Sequence, residues 1–380
     1  MDSLSQIKKL VEFNTVSRDS NLPLIDHIAN YLNDLGIRSH RVESPDGNKS
    51  NLYASVGPNE AGGVVLSGHT DVVPTDGQDW HTDPFAPEVK ESRLYGRGTC
   101  DMKGFIGTAL ALVPEMNSLL KPIHFALSYD EEVGCKGAPS MIGELSRHLP
   151  EPEAVIVGEP TQMQAITGHK GMVTLTTSIQ GFEAHSSQTH RGVSAVMTAA
   201  KLVEKLNSMA SHLAEQTNLD TGFEPHHSTI HVGIIRGGTA INIISRFCEF
   251  QWDIRCIPKD NPQTIIDEFE KYCRDEILPN MRSIQSDCGI STEITAAAPA
   301  FLMTESPAMA LLASLGTPST EKHAPYVAEA GQFQAAGFPT VVCGPGSIDQ
   351  AHKPNEFIAL DQIDQGEQLL RKLISRLSQT

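Results

Sequence analysis

The sequence predicts an α/β protein interrupted by an α+β domain, and three observations carry that prediction. Three short apolar runs, at 63–68, 123–128 and 154–157, are separated by helix-spaced segments and each runs into a polar, ligand-type residue. That is the pattern of an α/β sheet with a site along its carboxyl edge. From about Gly171 the periodicity changes to alternation, and up to about residue 297 the order of elements is strand, helix, strand, strand, helix, strand, the ferredoxin-like order. After 297 the α/β character returns. The expected division is therefore 1–170 and 298–380 for the two parts of one domain and 171–297 for an inserted one.

Taken in order, Leu24, Ile25, Ile28, Ala29, Leu32 and Leu35 recur at helical spacing, with Gly36 as a stop. Strands are expected at 51–56 and 63–68. The second ends on Ser67-Gly68 and presents His69, with Asp71 two places on. Between Val72 and Gly98 the density of Pro, Gly, Asp and aromatic residues, among them Trp80, Pro84 and Phe85, predicts a long loop over a site. A helix with Ala109, Leu112 and Val113 follows the Gly96 to Gly104 stretch. The 123–128 strand runs into Asp130-Glu131-Glu132, and 154–157 into Gly158-Glu159-Pro160. In the inserted part Val173, Leu175, Thr177 and Ile179 mark a half-exposed strand, 193–209 a helix, 228–235 a strand, and Cys248, Phe250, Trp252 and Ile254 the cleanest alternation in the chain. Asn261-Pro262 opens a second helix and a last strand falls near 290–296. A strand at 339–343, a Gly344 to Ser347 turn, His352 and a helix at 361–377 complete the chain.

With 39% hydrophobic and 20% charged residues over 380 positions, the composition is that of a soluble globular protein. No apolar run approaches the roughly 18 residues of a membrane span, and the first eleven residues carry Asp2 and Lys8-Lys9 without the apolar core of a signal peptide. A cytoplasmic protein without membrane association is expected. Seven cysteines without a Cys-x-x-Cys pair fit reduced thiols. A net charge of -17, from 29 basic and 46 acidic residues, argues against a nucleic-acid partner.

The chemistry lies in His69 with Asp71, Asp101, the Glu131-Glu132 pair, Glu159 and His352. Singly, His69 is an ordinary buried histidine and each acid a solvated loop charge; their recurrence at successive strand ends points to a metal site. Imidazoles and carboxylates without thiolates suit Zn²⁺, Co²⁺ or Mn²⁺. The number of ligands suits two ions roughly 3.5 Å apart, with one carboxylate left over as general base. Adjacent residues on extended backbone point to opposite sides, so one of Glu131 and Glu132 can ligate while the other faces substrate.

The stretches Ser67-Gly68-His69-Thr70-Asp71-Val72-Val73-Pro74, Gly96-Arg97-Gly98-Thr99-Cys100-Asp101-Met102-Lys103-Gly104, Asp130-Glu131-Glu132, Gly158-Glu159-Pro160 and Ala351-His352 resemble the metal-binding motifs of the dinuclear-zinc aminoacylase and carboxypeptidase family, over essentially the whole chain. The resemblance implies a zinc-peptidase-like α/β catalytic domain, an inserted lid and dimerisation domain, and a homodimer that hydrolyses the amide of a small N-acyl amino acid. It implies two divalent ions per subunit, Zn²⁺ or alternatively Co²⁺. His69 and Glu159 would hold one, Glu132 and His352 the other, with Asp101 bridging. Glu131 would be the general base, Asp71 would orient His69, and Asp101-Met102 would be a cis peptide. His185, in Gly181-Phe182-Glu183-Ala184-His185-Ser186-Ser187, matches the family's lid histidine, which reaches the partner subunit's site and would serve the oxyanion.

Three residues bear on substrate. Arg255, on the polar face of its strand, is placed to grip a carboxylate, and Asn242 matches a family position lining the same pocket. Glu329 is placed to receive a substrate ammonium. Related succinyl-diaminopimelate desuccinylases usually carry a Gly-Gly-Thr-Ser-type stretch where this chain has Val327-Ala328-Glu329-Ala330-Gly331.

Overall fold

The computed structural model describes residues 1–215, 221–303, 306–317 and 323–379. They form two compact units, one of Met1–Gly168, Phe301–His323 and Ala328–Thr380, the other of His169–Ala300 and Ala324–Val327.

The first unit is built on a six-stranded sheet in the order Ser39–Glu43, Ser50–Val56, Ile123–Ser128, Val64–His69, Ala154–Val157, Thr340–Val342. The last four strands run parallel to one another. Val64–His69, Ile123–Ser128 and Ala154–Val157 are buried along their whole length, which is why they read as continuous apolar runs rather than as alternation. Register does the rest. His69 pairs with Ser128, and Ser67 with Val157, so the three strands end together and the residues that follow each emerge at one edge.

Helices Leu22–Asp34, Lys103–Ala111, Ala138–His148 and Leu360–Leu377 cover the sheet, and Leu24, Ile28, Phe105, Ile106, Leu370 and Leu373 share one core with Leu66, Phe125 and Ile156 of the strands. Burying each such side chain contributes about 1.5–3 kcal/mol. Two glycines let the Lys103–Ala111 helix approach the strand ends. A Cβ at Gly68 would lie 2.8 Å from Met102 Cε, and one at Gly158 2.1 Å from the Phe105 ring. A side chain at Gly158 would have to displace the Phe105 ring, whereas at Gly68 it meets the flexible end of Met102 and the Ile106 side chain.

The second unit is a four-stranded antiparallel sheet, ordered Thr229–Gly237, Phe247–Cys256, Gly171–Gln180, Gly289–Ala298. Its helices Ala195–Glu215 and Pro262–Tyr272 bury Leu202, Leu206 and Phe269 against Leu175, Phe250 and Trp252. Trp252 Nε1 donates to Thr177 Oγ1 at 3.0 Å, which satisfies the buried indole. The expected ferredoxin-like order of elements is the observed one.

Two stretches differ from expectation. The Val72 to Gly98 segment holds a hairpin of Glu88–Lys90 and Arg93–Tyr95, closed by Glu91 and Ser92 at φ 51° and 59° and flanked by Phe357–Ala359. Strands of three residues are too short to show a period. The first long helix of the second unit reaches Glu215, beyond the expected 209, because its later turns carry helix-forming residues without a long apolar stripe. All seven cysteines are free and buried. Among the described residues no helix is long and apolar enough to cross a membrane.

Candidate active site

At the common strand edge the sequence-predicted residues of the first unit converge. His69, 1% exposed, ends its strand with Nε2 3.0 Å from Asp101 Oδ1. His352 Nε2 lies 2.9 Å from Glu132 Oε2 and 3.4 Å from Asp101 Oδ2. Asp101 thus stands between the two imidazoles, one carboxylate oxygen toward each. Ligand atoms of His69, Asp101 and Glu132 all lie within 4.8 Å of one another. Glu159, following its strand by two residues, is buried and feels the charges of Asp101, His69 and Glu132. The Asp101-Met102 peptide is cis.

The electrostatics are those of a crowded acidic pocket. Burial first, and then neighbouring carboxylates, push Glu131 and Glu159 well above the usual carboxylate range and Glu132 up to about 7. Burial would raise Asp101 as well, but hydrogen bonds to His352 and His69 hold it well below its ordinary value. Hydrogen bonds to Asp101 and to Glu132 lift His352 to about 10.

His69 tests whether a cation suits this pocket. Its Nδ1 lies 2.9 Å from the Asp71 carbonyl oxygen, which can only accept, so Nδ1 carries the proton. In the neutral ring Nε2 then turns a lone pair on the Asp101 carboxylate, an acceptor against an acceptor. A proton on Nε2 relieves that opposition, and so does a divalent cation lying between nitrogen and oxygens. With imidazoles and carboxylates as the only donors, the set fits a borderline dication such as Zn²⁺.

Asp71 departs from the role the resemblance implies. Its carboxylate is 3.7 Å from His69 Nδ1, beyond a hydrogen bond, and the contact that orients the ring comes from its backbone carbonyl. The carboxylate instead accepts from Ser17 Oγ at 2.7 Å and from the backbone N–H groups of Glu131 and Glu132 at 3.2 and 3.3 Å. It is committed to holding the two-glutamate turn. Glu131 itself accepts from Cys135 Sγ at 3.3 Å.

Glu329, the N-cap of the Ala330–Ala335 helix, has a carboxylate that is 1% exposed, with Oε2 3.4 Å from Ser67 Oγ. Its Oε1 has no partner among the described residues. It lies beneath the strand that delivers His69, not out in solvent.

In the second unit an isolated bridge pairs His185 with Ile243, and Ser186 N donates to Asn242 O at 3.0 Å, so His185 and Asn242 share one loop cluster. Ser187 N donates to His185 Nδ1 at 3.2 Å, leaving Nε2 as the N–H of the neutral ring. Arg255 is elsewhere. It sits near the far end of the Phe247–Cys256 strand, opposite Met172, eight residues from Phe247 or about 26 Å along extended backbone. The expectation that Arg255 and Asn242 line one pocket is therefore not met within this unit, because the strand's length separates them.

One acid escaped the sequence altogether. Buried Glu356 accepts from Arg97 Nη1 at 2.7 Å and from the backbone N–H groups of Gly98, Cys100 and Asp101 at 3.1, 2.9 and 3.1 Å. It cradles the turn that carries Asp101. Its position four residues after His352 is the only signal the sequence offers.

A sequence profile of peptidase family M20/M25/M40 matches residues 65–376. The chain belongs to that family, metal-dependent hydrolases of amide bonds, which bears out the family resemblance drawn from its motifs. It is 32% identical over 380 residues to an acetylornithine deacetylase of Myxococcus xanthus, covering 97% of this chain and 96% of that one. Among solved structures it shares the fold of the M20 family metallo-carboxypeptidase Sso-CP2 of Sulfolobus solfataricus, with a TM-score of 0.76 at 17% identity over all of both chains. A dinuclear metal binding peptidase of the M20 family from Bacillus subtilis aligns with a TM-score of 0.63 at 14% identity, over 98% of this chain and 96% of that one.

Proposed function

We propose that this chain hydrolyses N2-acetyl-L-ornithine to L-ornithine and acetate, as a step of arginine biosynthesis, acting as a cytoplasmic homodimer with two divalent ions per subunit. The observation that carries the reading is Asp101 standing between the His69 and His352 imidazoles, with Glu132 on the second of them. The near-full-length likeness to acetylornithine deacetylases supports the choice of substrate. His69 and Glu159 would hold one ion, Glu132 and His352 the other, and Asp101 both. When bound, such ions lower the pKa of water and polarise an amide oxygen.

The chain's own residues then act as follows. Glu131 accepts a proton from the attacking water, the water oxygen bonds to the acyl carbon, and Glu131 returns the proton to the nitrogen as the C–N bond breaks. Acetate and a free amine leave. His185 is assigned as donor to the developing oxyanion, and Arg255 and Asn242 to the substrate, the reading requiring two subunits to bring Asn242 and Arg255 to one substrate. Protein stripped by chelator is expected to recover acetylornithine hydrolysis on addition of Zn²⁺ or Co²⁺. A panel of N-acyl amino acids, N-succinyl-diaminopimelate and dipeptides separates the reading from its runner-up, another deacylase or dipeptidase of the same family. Failure to turn over any of them would overturn the enzymatic reading.

Glu329 is assigned to the substrate ammonium, which would satisfy its unpartnered Oε1. Glu329→Gln is expected to raise KM for acetylornithine at least tenfold and to leave N-acetylmethionine within about threefold; equal effects would remove Glu329 from recognition. The same variant has a pH signature without substrate. Burial raises this carboxyl from near 4.5 to about 7, so across that window the folded chain holds a proton that the unfolded chain has lost. Its contribution to stability is present at low pH and falls as pH rises through 7, by about 3 kcal/mol in all. Urea unfolding of metal-free protein between pH 5 and 8 should show a flatter decline for Glu329→Gln than for the parent.

A further inference from the structure

We propose that Cys135 is a positioning residue for Glu131, its thiol holding the carboxylate that the proposed reaction uses as general base. The inference rests on that reading of Glu131. Cys135 is fully buried, and its Sγ lies 3.3 Å from Glu131 Oε1. In this contact the thiol is the donor and the carboxylate oxygen the acceptor. Burial pushes that thiol well above its ordinary pKa, which keeps the proton on sulfur. Among the described residues Glu131 Oε2 receives no hydrogen bond, so one oxygen is held while the other is left for a proton in transit.

The thiol is itself fixed at two points. Cys135 N donates to Glu131 O at 2.8 Å, closing residues 131–135 into a single turn, and Cys135 adopts a left-handed conformation at φ 54°. Its carbonyl accepts from Gln332 Nε2 at 2.8 Å, from the buried start of the Ala330–Ala335 helix. The chain of contacts thus runs from that helix through the Cys135 backbone to its sulfur and on to Glu131. A thiol is a weak donor, able to restrict the carboxylate's rotamers without competing strongly for the proton that Glu131 must take up and release. Losing the restraint leaves the base present but misplaced, and small misplacements of a reacting group cost large factors in rate.

The test compares Cys135→Ala, Cys135→Gly and Cys135→Ser with Glu131→Gln in metal-loaded enzyme, reading kcat and KM with acetylornithine, metal per chain and the melting temperature. Glycine suits the positive φ and provides a donor-free variant that folds if alanine does not. The expected result is a fall in kcat of about tenfold for Ala and Gly, KM within twofold, metal content unchanged, and recovery to within threefold of the parent in Ser, whose hydroxyl restores a donor. A kcat within twofold of the parent in the donor-free variants would overturn the proposal. So would equal losses in Ser and Ala, or a loss that tracks departure of metal. Glu131→Gln separates the two layers: if it is inactive while Cys135→Ala is unimpaired, only the positioning role falls, whereas undiminished hydrolysis in Glu131→Gln removes the base assignment and this inference with it.

Discussion

Glu131→Gln is expected to lower kcat for acetylornithine by about a thousandfold while both metal ions stay bound. The size follows from what is removed. A general base contributes roughly 10²–10⁴-fold, and glutamine, of the same shape, cannot take a proton from water at any working pH. A thousandfold loss corresponds to about 4 kcal/mol of transition-state stabilisation. Retention of metal follows from geometry: the contacts to His69 and His352 come from Asp101 and Glu132, whereas the side-chain donor found on Glu131 is Cys135. The turn itself is held by the Asp71 carboxylate through the backbone of both glutamates, which the substitution does not touch. Steady-state kinetics beside elemental analysis of the dialysed variant checks both halves. Loss of metal would mean that the division of labour between Glu131 and Glu132 is the reverse of the one proposed.

Much of this site could be read along the chain because the fold sorts it that way. Parallel strands buried on both faces write uninterrupted apolar runs, and the residue after each run must emerge at the carboxyl edge; His69, Glu131-Glu132 and Glu159 are found by counting from the ends of such runs. The alternation of Cys248, Phe250, Trp252 and Ile254 likewise announces a sheet with one covered face. What escaped reading is set by contacts across long separations. Lys49 donates to the Asp130 carboxylate and to the Ser17 carbonyl, tying the turn before Glu131 to the start of the chain, and nothing near any of the three residues in sequence foretells it. The atom of Asp71 that orients His69 is a carbonyl, which every residue possesses, so the residue type was informative about the wrong contact. Arg255 and Asn242 lie close in sequence, yet the intervening strand carries one away from the other. The six-residue helix Ala330–Ala335, which supplies Gln332, is too short to show a 3.6-residue period.

Glu356→Gln is expected to damage stability and metal affinity together, although Glu356 is not itself a ligand. The carboxylate accepts four hydrogen bonds and pairs with Arg97, a guanidinium as buried as Glu356 itself that also stacks over Trp80 with its Cζ 5.1 Å from the ring centroid. Glutamine keeps one accepting oxygen and turns an NH₂ group toward donors, so at least one backbone N–H in the Gly98 to Asp101 turn loses its partner. Arg97 meanwhile loses its counter-charge where both side chains are about 1% exposed. Breaking a buried pair by removing one partner costs about 3–5 kcal/mol, and here the cost falls on the segment that sets the position of the Asp101 carboxylate between two imidazoles. Stability and metal affinity should therefore fall together: a melting temperature lowered by several degrees in metal-free protein, and weaker metal retention on dialysis at temperatures where the variant is still folded. The second effect discriminates, since a purely structural ion pair would lower the melting temperature and leave the folded protein's metal affinity at the parental level. Arg97→Met in the Glu356→Gln background should recover part of the stability by removing the unpaired charge, but not the metal affinity, because at least one N–H of the Gly98 to Asp101 turn would remain without the oxygen that aims it.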